Sequence, residues 1–313
     1  MVFAFGFYPA YSQNNAERSY GFSIAAQGGV LYGQAFEYVY PTDTKGEFLS
    51  ELIWDMKPVF YLGLQIDFGK KDVINEAGFF SLLSFKAGIP GDSGKLEDRD
   101  WMSIENSALT NFSSHTNKTR QFFSLDAAVG VSVPLKAGFI VKPFISASWM
   151  HFAFTGRDGY YKYARKVSSN TFYSIDDNPE TGQLSGDVIY YKQNWLLLSP
   201  GVSFGVRLFY PFSIDFSFKV SLVSYCSSRD DHIETNTTYL DFTRVSLYYE
   251  PAVCLSYSFK RIEHSLEFSW KRVAKTEGES YLGNDYSGYG LSPNKAGAGL
   301  SVMDLRYLIK FHF

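Results

Sequence analysis

From residue 303 to the end of the chain, apolar and polar residues alternate. Met303, Leu305, Tyr307, Ile309, Phe311 and Phe313 fall on one face of an extended chain, and Asp304, Arg306, Leu308, Lys310 and His312 on the other. Period two marks a β-strand, whose successive side chains point to opposite faces. The pattern recurs upstream. Phe212, Ile214, Phe216, Phe218 and Val220 alternate with Ser213, Asp215, Ser217, Lys219 and Ser221, and Leu266, Phe268 and Trp270 with Ser265, Glu267, Ser269 and Lys271. Val245, Leu247, Tyr249, Val253, Leu255, Tyr257 and Phe259 oppose Ser246, Glu250, Cys254, Ser256 and Ser258. The polar face is too charged for the core of a two-sheet sandwich, and the apolar face is too aromatic for water. Turned to lipid, a lysine near the midplane would cost about 2–4 kcal/mol, so the charges belong in a polar lumen. A closed barrel in lipid satisfies both faces and leaves no sheet edge.

Ten strands are predicted, at about 20–40, 47–68, 77–90, 119–134, 138–156, 187–207, 211–227, 239–259, 263–276 and 296–313. Their connections alternate in length. Short ones fall near Gly69–Lys71, Leu135–Gly138, Tyr210–Pro211 and Lys260–Ile262; long ones cover about 91–118, 157–186, 228–238 and 277–295, with a shorter outer loop near 41–46. The expected fold is all-β: a ten-stranded antiparallel transmembrane β-barrel with short periplasmic turns, longer extracellular loops and both chain ends on the periplasmic side. Residues 20–313 form the barrel and 1–19 an N-terminal extension. Met1 to Gln13 is apolar but lacks the basic n-region of an export signal, so it reads as a trimmed or residual signal segment.

Composition agrees. Aromatics make up 18% of the chain, with 29 Phe and 23 Tyr. Mean hydropathy is nevertheless −0.14, and no run approaches the roughly 18 apolar residues of a spanning helix. A net charge of −3 gives no reason to expect a nucleic-acid partner. Cys226 and Cys254 do not make a disulfide framework and are expected as free thiols.

Two polar clusters stand out, Asp98-Arg99-Asp100-Trp101-Met102 and Asp230-Asp231-His232. Each contains ionisable residues at i and i+2, which an extended strand turns to one face. The layout puts Asp98 and Asp100 in the second outer loop and Asp230 and His232 in the fourth, facing each other across the mouth. Three carboxylates and an imidazole around one point can activate a water molecule.

This constellation resembles the omptins, ten-stranded outer-membrane proteases. Asp98-x-Asp100-Trp101-Met102 is similar to the family's acidic pair, and Asp230-x-His232, preceded by Phe218-Lys219-x-Ser221, to its Asp–His pair. Ser113-x-His115 matches a further loop motif, and Gly33-x-x-x-Glu37-x-Val39-Tyr40 the end of the first strand, where the family places a substrate-binding glutamate. The resemblance implies a surface endopeptidase without a cofactor or metal, in which His232, oriented by Asp230, is the general base. A water between His232 and Asp98 attacks the scissile carbonyl, and Asp100 supports Asp98. No acyl-enzyme is implied, since Ser113 shows no evident base of its own, and Ser113 and His115 stay outside the catalytic set.

Specificity departs from the family's pattern. The family's preference for basic residues rests on an acid from strand one, here Glu37, and on another two residues before the catalytic Asp, here Ser228. The adjoining subsite, usually acidic, is Asn111, and Arg229 adds positive charge nearby. A weakened or altered preference for Arg or Lys follows. The resemblance also implies a basic patch that holds lipopolysaccharide. His151 stands there in place of a key arginine, with Arg207 as a candidate for the other position, which weakens lipopolysaccharide as an expected partner. The expected partners are thus a peptide or protein substrate and outer-membrane lipid, with the chain a monomer. The alternative is a catalytically silent barrel acting as an adhesin through loops such as Tyr160-Tyr161-Lys162-Tyr163. A barrel phospholipase would need a Ser/His pair on the lipid face, and a passive pore would need an open lumen.

Overall fold

A computed structural model describes residues 20–41, 47–70, 75–103, 108–168, 171–209 and 211–313. The N-terminal extension and residues 42–46 of the first outer loop lie outside the described residues. Ten antiparallel strands form the wall. Five are continuous: β1 (Tyr20–Tyr40), β2 (Ser50–Lys70), β4 (Asn111–Pro134), β5 (Phe139–Tyr163) and β6 (Glu180–Phe209). Four are interrupted once: β3 (Gly78–Gly88, then Gly91–Asp100), β7 (Phe212–Ser221, then Val223–His232), β8 (Thr237–Arg244, then Tyr248–Phe259) and β9 (Ile262–Val273, then Glu277–Asn284). The last, β10 (Lys295–His312), pairs with β1 from Ser23↔His312 to Tyr40↔Lys295 and closes the ring. Each strand bonds to its sequence neighbour, as expected of an up-and-down barrel. The two ends of the described chain lie at the same rim.

The alternation read from sequence sets the wall. Phe60, Leu62, Leu64, Ile66 and Phe68 on β2, Leu266 and Phe268 on β9, and Leu305 and Tyr307 on β10 face outward and are exposed, as a lipid-facing band requires. Their inward neighbours are polar and compensated. Lys86 meets Asp304 at 2.5 Å, Lys271 meets Glu250 at 2.6 Å, and Arg306 meets Glu267 at 2.8 Å. Above this charged layer the lumen is filled by stacked rings. Trp54 lies 5.1 Å from Tyr191 and 5.6 Å from Phe154, and Phe122 lies 5.1 Å from Phe152. Below it a cavity of about 750 Å³ opens among Lys142, Asp215 and Lys310. The aromatic layer separates that cavity from the mouth.

One expectation fails. The strands do not stop near the top of the apolar band. β3 runs on to Asp100, β4 begins at Asn111, β5 extends to Tyr163, β6 begins at Glu180 and β7 reaches His232. The segments expected as outer loops are therefore largely sheet. Above the lipid both faces of the wall meet water or polar lumen, so the apolar alternation disappears while the backbone ladder continues.

The interruptions also switch which residues face inward. Below Leu222 the odd-numbered side chains of β7 point into the lumen (Asp215, Lys219), and above it the even ones do: Ser224, Cys226, Ser228 and Asp230. In β2 one extra residue beside Pro58 has the same effect, turning Leu52, Trp54 and Met56 inward where Val59 and Tyr61 do so below.

Candidate active site

The strand extensions carry the predicted set. Asp98 and Asp100 lie at i and i+2 on the upper part of β3, between Leu52 and Ser50 of β2 on one side and Ser113 and Asn111 of β4 on the other. They are strand residues, not loop residues as expected, and the ladder holds both side chains on one face. The Ser50 hydroxyl reaches Asp98 Oδ1 at 3.4 Å. Burial raises the pKa of Asp98 well above the ordinary carboxylate value, and the neighbouring Asp100 adds to the rise while His232 opposes it. Burial raises Asp100 as well, against hydrogen bonds from Ser50 and Asn111.

On the far wall Asp230 and His232 project from β7, likewise as strand residues. Asp230 is 2% exposed, and its Oδ2 lies 2.6 Å from His232 Nε2. Burial disfavours the imidazolium, but the charge and hydrogen bond of Asp230, with Asp98 and Asp100 behind them, raise its pKa to about 9. His232 thus senses both pairs: four residues from two distant strands share one electrostatic environment. The Tyr239 ring meets the imidazole edge-on at 5.5 Å.

Glu37 enters from β1 and is 3% exposed. Burial raises its pKa well above normal, and Asp230, Asp241 and Asp98 push it further. Ser228 is buried two residues before Asp230, and its hydroxyl donates to Asp241 Oδ2 at 3.2 Å. Asp241 was not singled out from sequence. It sits on β8 directly across the ladder from Ser228, is 3% exposed, and is raised to about 6 by burial, against the Ser280 hydroxyl and with the charge of Asp230. Alternation around Tyr239, Asp241 and Thr243 would have pointed it inward.

Other expectations need correction. Arg229 lies on the outer face of β7, where it pairs with Asp231 at 2.8 Å and Asp285 at 3.0 Å, so it brings no charge to the groove. The parity that puts Asp230 inside puts residue 229 outside. Arg207 lines the lower lumen cavity rather than the outer wall. Ser113 does have a base within reach: its Oγ is 2.8 Å from His115 Nε2, whose Nδ1 meets the Asp158 carbonyl at 2.7 Å. Burial lowers the pKa of His115. Asn111 stands across the ladder from Asp100 and hydrogen-bonds it. His151 is on the wall with Asn194 (2.8 Å) and Gln121 (3.2 Å) as partners. Cys226 and Cys254 are free thiols.

Comparison with known proteins agrees with this architecture. The family model that matches the chain, over residues 18–313, is that of the Omptin family. A plasminogen activator from Yersinia pestis is 25% identical over 285 residues, covering 90% of this chain and 85% of that protein. The crystal structure of outer membrane protease OmpT from Escherichia coli superposes with a TM-score of 0.80 at 22% identity, covering 94% of this chain and 97% of the other.

Proposed function

The chain belongs to the omptin family, and from that premise we propose that it is a surface-exposed outer-membrane endopeptidase. A water molecule held between Asp98 and His232 attacks the scissile carbonyl. The observation that carries this reading is the His232–Asp230 contact of 2.6 Å, set within the field of Asp98 and Asp100 from the opposite wall. With Nε2 bonded to Asp230, Nδ1 is the nitrogen that takes the proton from water, and the buried carboxylate stabilises the imidazolium that forms. Asp98 and Asp100 titrate as a coupled pair, sharing a proton and orienting the water. Asn111 steadies Asp100 and lines the adjoining subsite.

The Ser113–His115 pair does not displace this reading. A backbone carbonyl behind His115 carries no full charge to stabilise an imidazolium, and burial of the ring opposes protonation. The groove opens at the rim opposite the two ends of the described chain, so cleavage takes place outside the cell. Preference for basic residues is altered from the family's pattern, because Ser228 offers a hydroxyl in place of a carboxylate. The protein acts as a monomer, and with His151 in place of an arginine, activity without added lipopolysaccharide is expected.

The test is cleavage of a peptide library by the refolded protein beside Asp98→Ala and His232→Ala. Each variant should lose on the order of 10²–10⁴-fold in kcat, with wild-type activity unaffected by chelators and serine-directed reagents. Equal cleavage by all three would overturn the assigned residues, and no cleavage by any of them would favour a silent, adhesive barrel.

A further inference from the structure

Glu37 feels the charges of Asp230, Asp241 and Asp98, and Asp98 those of Asp100 and Asp230, so five carboxylates share the mouth of the groove. Among the described residues, His232 is the one cationic side chain ion-paired with any of them. Burying a carboxylate without a counter-charge is costly, and elsewhere the lumen avoids it: Glu250 is held by Lys219 and Lys271, and Asp304 by Lys86. At the mouth, Glu37 Oε2 and Asp241 Oδ1 are buried with no hydrogen-bond partner. Among the described residues these acids are not arranged as a group that would hold a metal ion. A cationic side chain brought by a substrate would supply the counter-charge that this pocket lacks.

The local geometry identifies the receiving pair. Asp241 projects inward from β8 and Glu37 from β1, on different parts of the wall, and the charge of each reaches the other. Ser228 holds one oxygen of Asp241 by its hydroxyl at 3.2 Å and leaves Oδ1 open. Two open acceptors on separate carboxylates suit the forked donors of a guanidinium better than the single point charge of an ammonium. We propose that Asp241 is the specificity-determining acid of this groove: with Glu37 it receives an arginine side chain beside the cleaved bond, supplying from across the ladder the carboxylate that position 228 lacks. Preference is then altered by relocation of the acid rather than by its loss. The proposal rests on the endopeptidase reading for its substrate, but not for the existence of the cation pocket.

The experiment uses the intact refolded barrel and peptides that differ only in carrying arginine, lysine or uncharged citrulline at one position. The variants are Asp241→Asn, Asp241→Ser and the transposed Ser228→Asp/Asp241→Ser, which preserves composition and net charge. For wild type, kcat/KM on the arginine peptide should exceed that on the citrulline peptide by about 100-fold or more, as buried charge recognition gives. That ratio should fall by about tenfold or more in both single variants and recover in the transposed one. An unchanged ratio in Asp241→Asn overturns the proposal, as does equal loss on both peptides, which would mark a structural role. Calorimetric binding of the two peptides is measured in parallel. If nothing is cleaved but arginine binds in an Asp241-dependent way, the protease reading fails and the pocket stands. If arginine and citrulline peptides bind alike, the pocket fails whatever the catalysis.

Discussion

The two storeys of the lumen treat buried charge in opposite ways. In the lower one, inside the apolar band, acids and bases are matched at short range: Lys86–Asp304 at 2.5 Å, Lys219–Glu250 at 2.9 Å and Lys142–Asp215 at 2.8 Å. In the upper one, five acids face one imidazole, and three carboxylate oxygens (Glu37 Oε2, Asp230 Oδ1 and Asp241 Oδ1) are buried without partners. Paired charges fill a ten-stranded barrel and tolerate burial because each desolvation cost is offset locally. Unpaired ones cost stability and stand ready for a proton, a water or a cation. Two sets of similar side chains in one lumen therefore have different uses, separated by the aromatic layer around Trp54 and Tyr191.

That contrast can be broken by substitution. The largest effect is expected below. Lys86→Met leaves Asp304 without its cation in a buried site and should destabilise the fold by about 3–5 kcal/mol, measured by denaturant unfolding in detergent. Above the layer the sign reverses. The pKa of Asp241 is raised to about 6, so the folded state holds its proton more tightly than the unfolded chain does. The stabilisation this gives is full below the ordinary carboxylate value and is lost as pH rises through about 6. Asp241→Asn should therefore gain about 2–3 kcal/mol at neutral pH, at about 1.4 kcal/mol per pH unit, and flatten stability between pH about 4 and 6. A loss of stability would mean that Asp241 is already satisfied.

His232 supplies the third test. Its raised pKa contributes stability that is full below the ordinary histidine value and lost as pH rises through about 9. In the proposed role of general base it must be neutral, so kcat/KM should climb on an alkaline limb above the usual histidine range. Asp100→Asn removes one of the charges holding the proton, and the limb should move to lower pH in a pH–rate profile. An unmoved limb would detach Asp100 from the set. The smallest effect belongs to Arg229→Ala on the outer face. Its partly exposed ion pairs contribute less than about 1 kcal/mol, and the arginine-to-citrulline cleavage ratio should stay at the wild-type value.

The lower storey was legible in the sequence because lipid outside and charge inside impose period two on every strand. The upper storey was only partly legible. Both faces there are polar, so Gly91–Asp100 and residues 228–232 lost their apolar signature and read as loops. The pairs Asp98–Asp100 and Asp230–His232 were still recognisable, since i and i+2 share a face whatever the strand's length. Arg229 and Asp241 were misjudged for a common reason: proximity in sequence was weighed where alternation and cross-strand register decide. Arg229 adjoins Asp230 in sequence and faces the opposite way, whereas Asp241 is distant in sequence and adjacent to Ser228 in space.

Leu222, the exposed residue at the break in β7, has a consequence of another kind. It works as a phase setter. Removing that single residue while keeping the ladder would turn the upper half of the strand inside out, presenting Arg229 and Asp231 to the groove and sending Asp230 and His232 to the outer surface. Such a chain would differ from the native one by one apolar side chain that touches no substrate, yet the groove would gain an arginine and lose its imidazole. Which residues face the groove is thus written in residue count as much as in residue type.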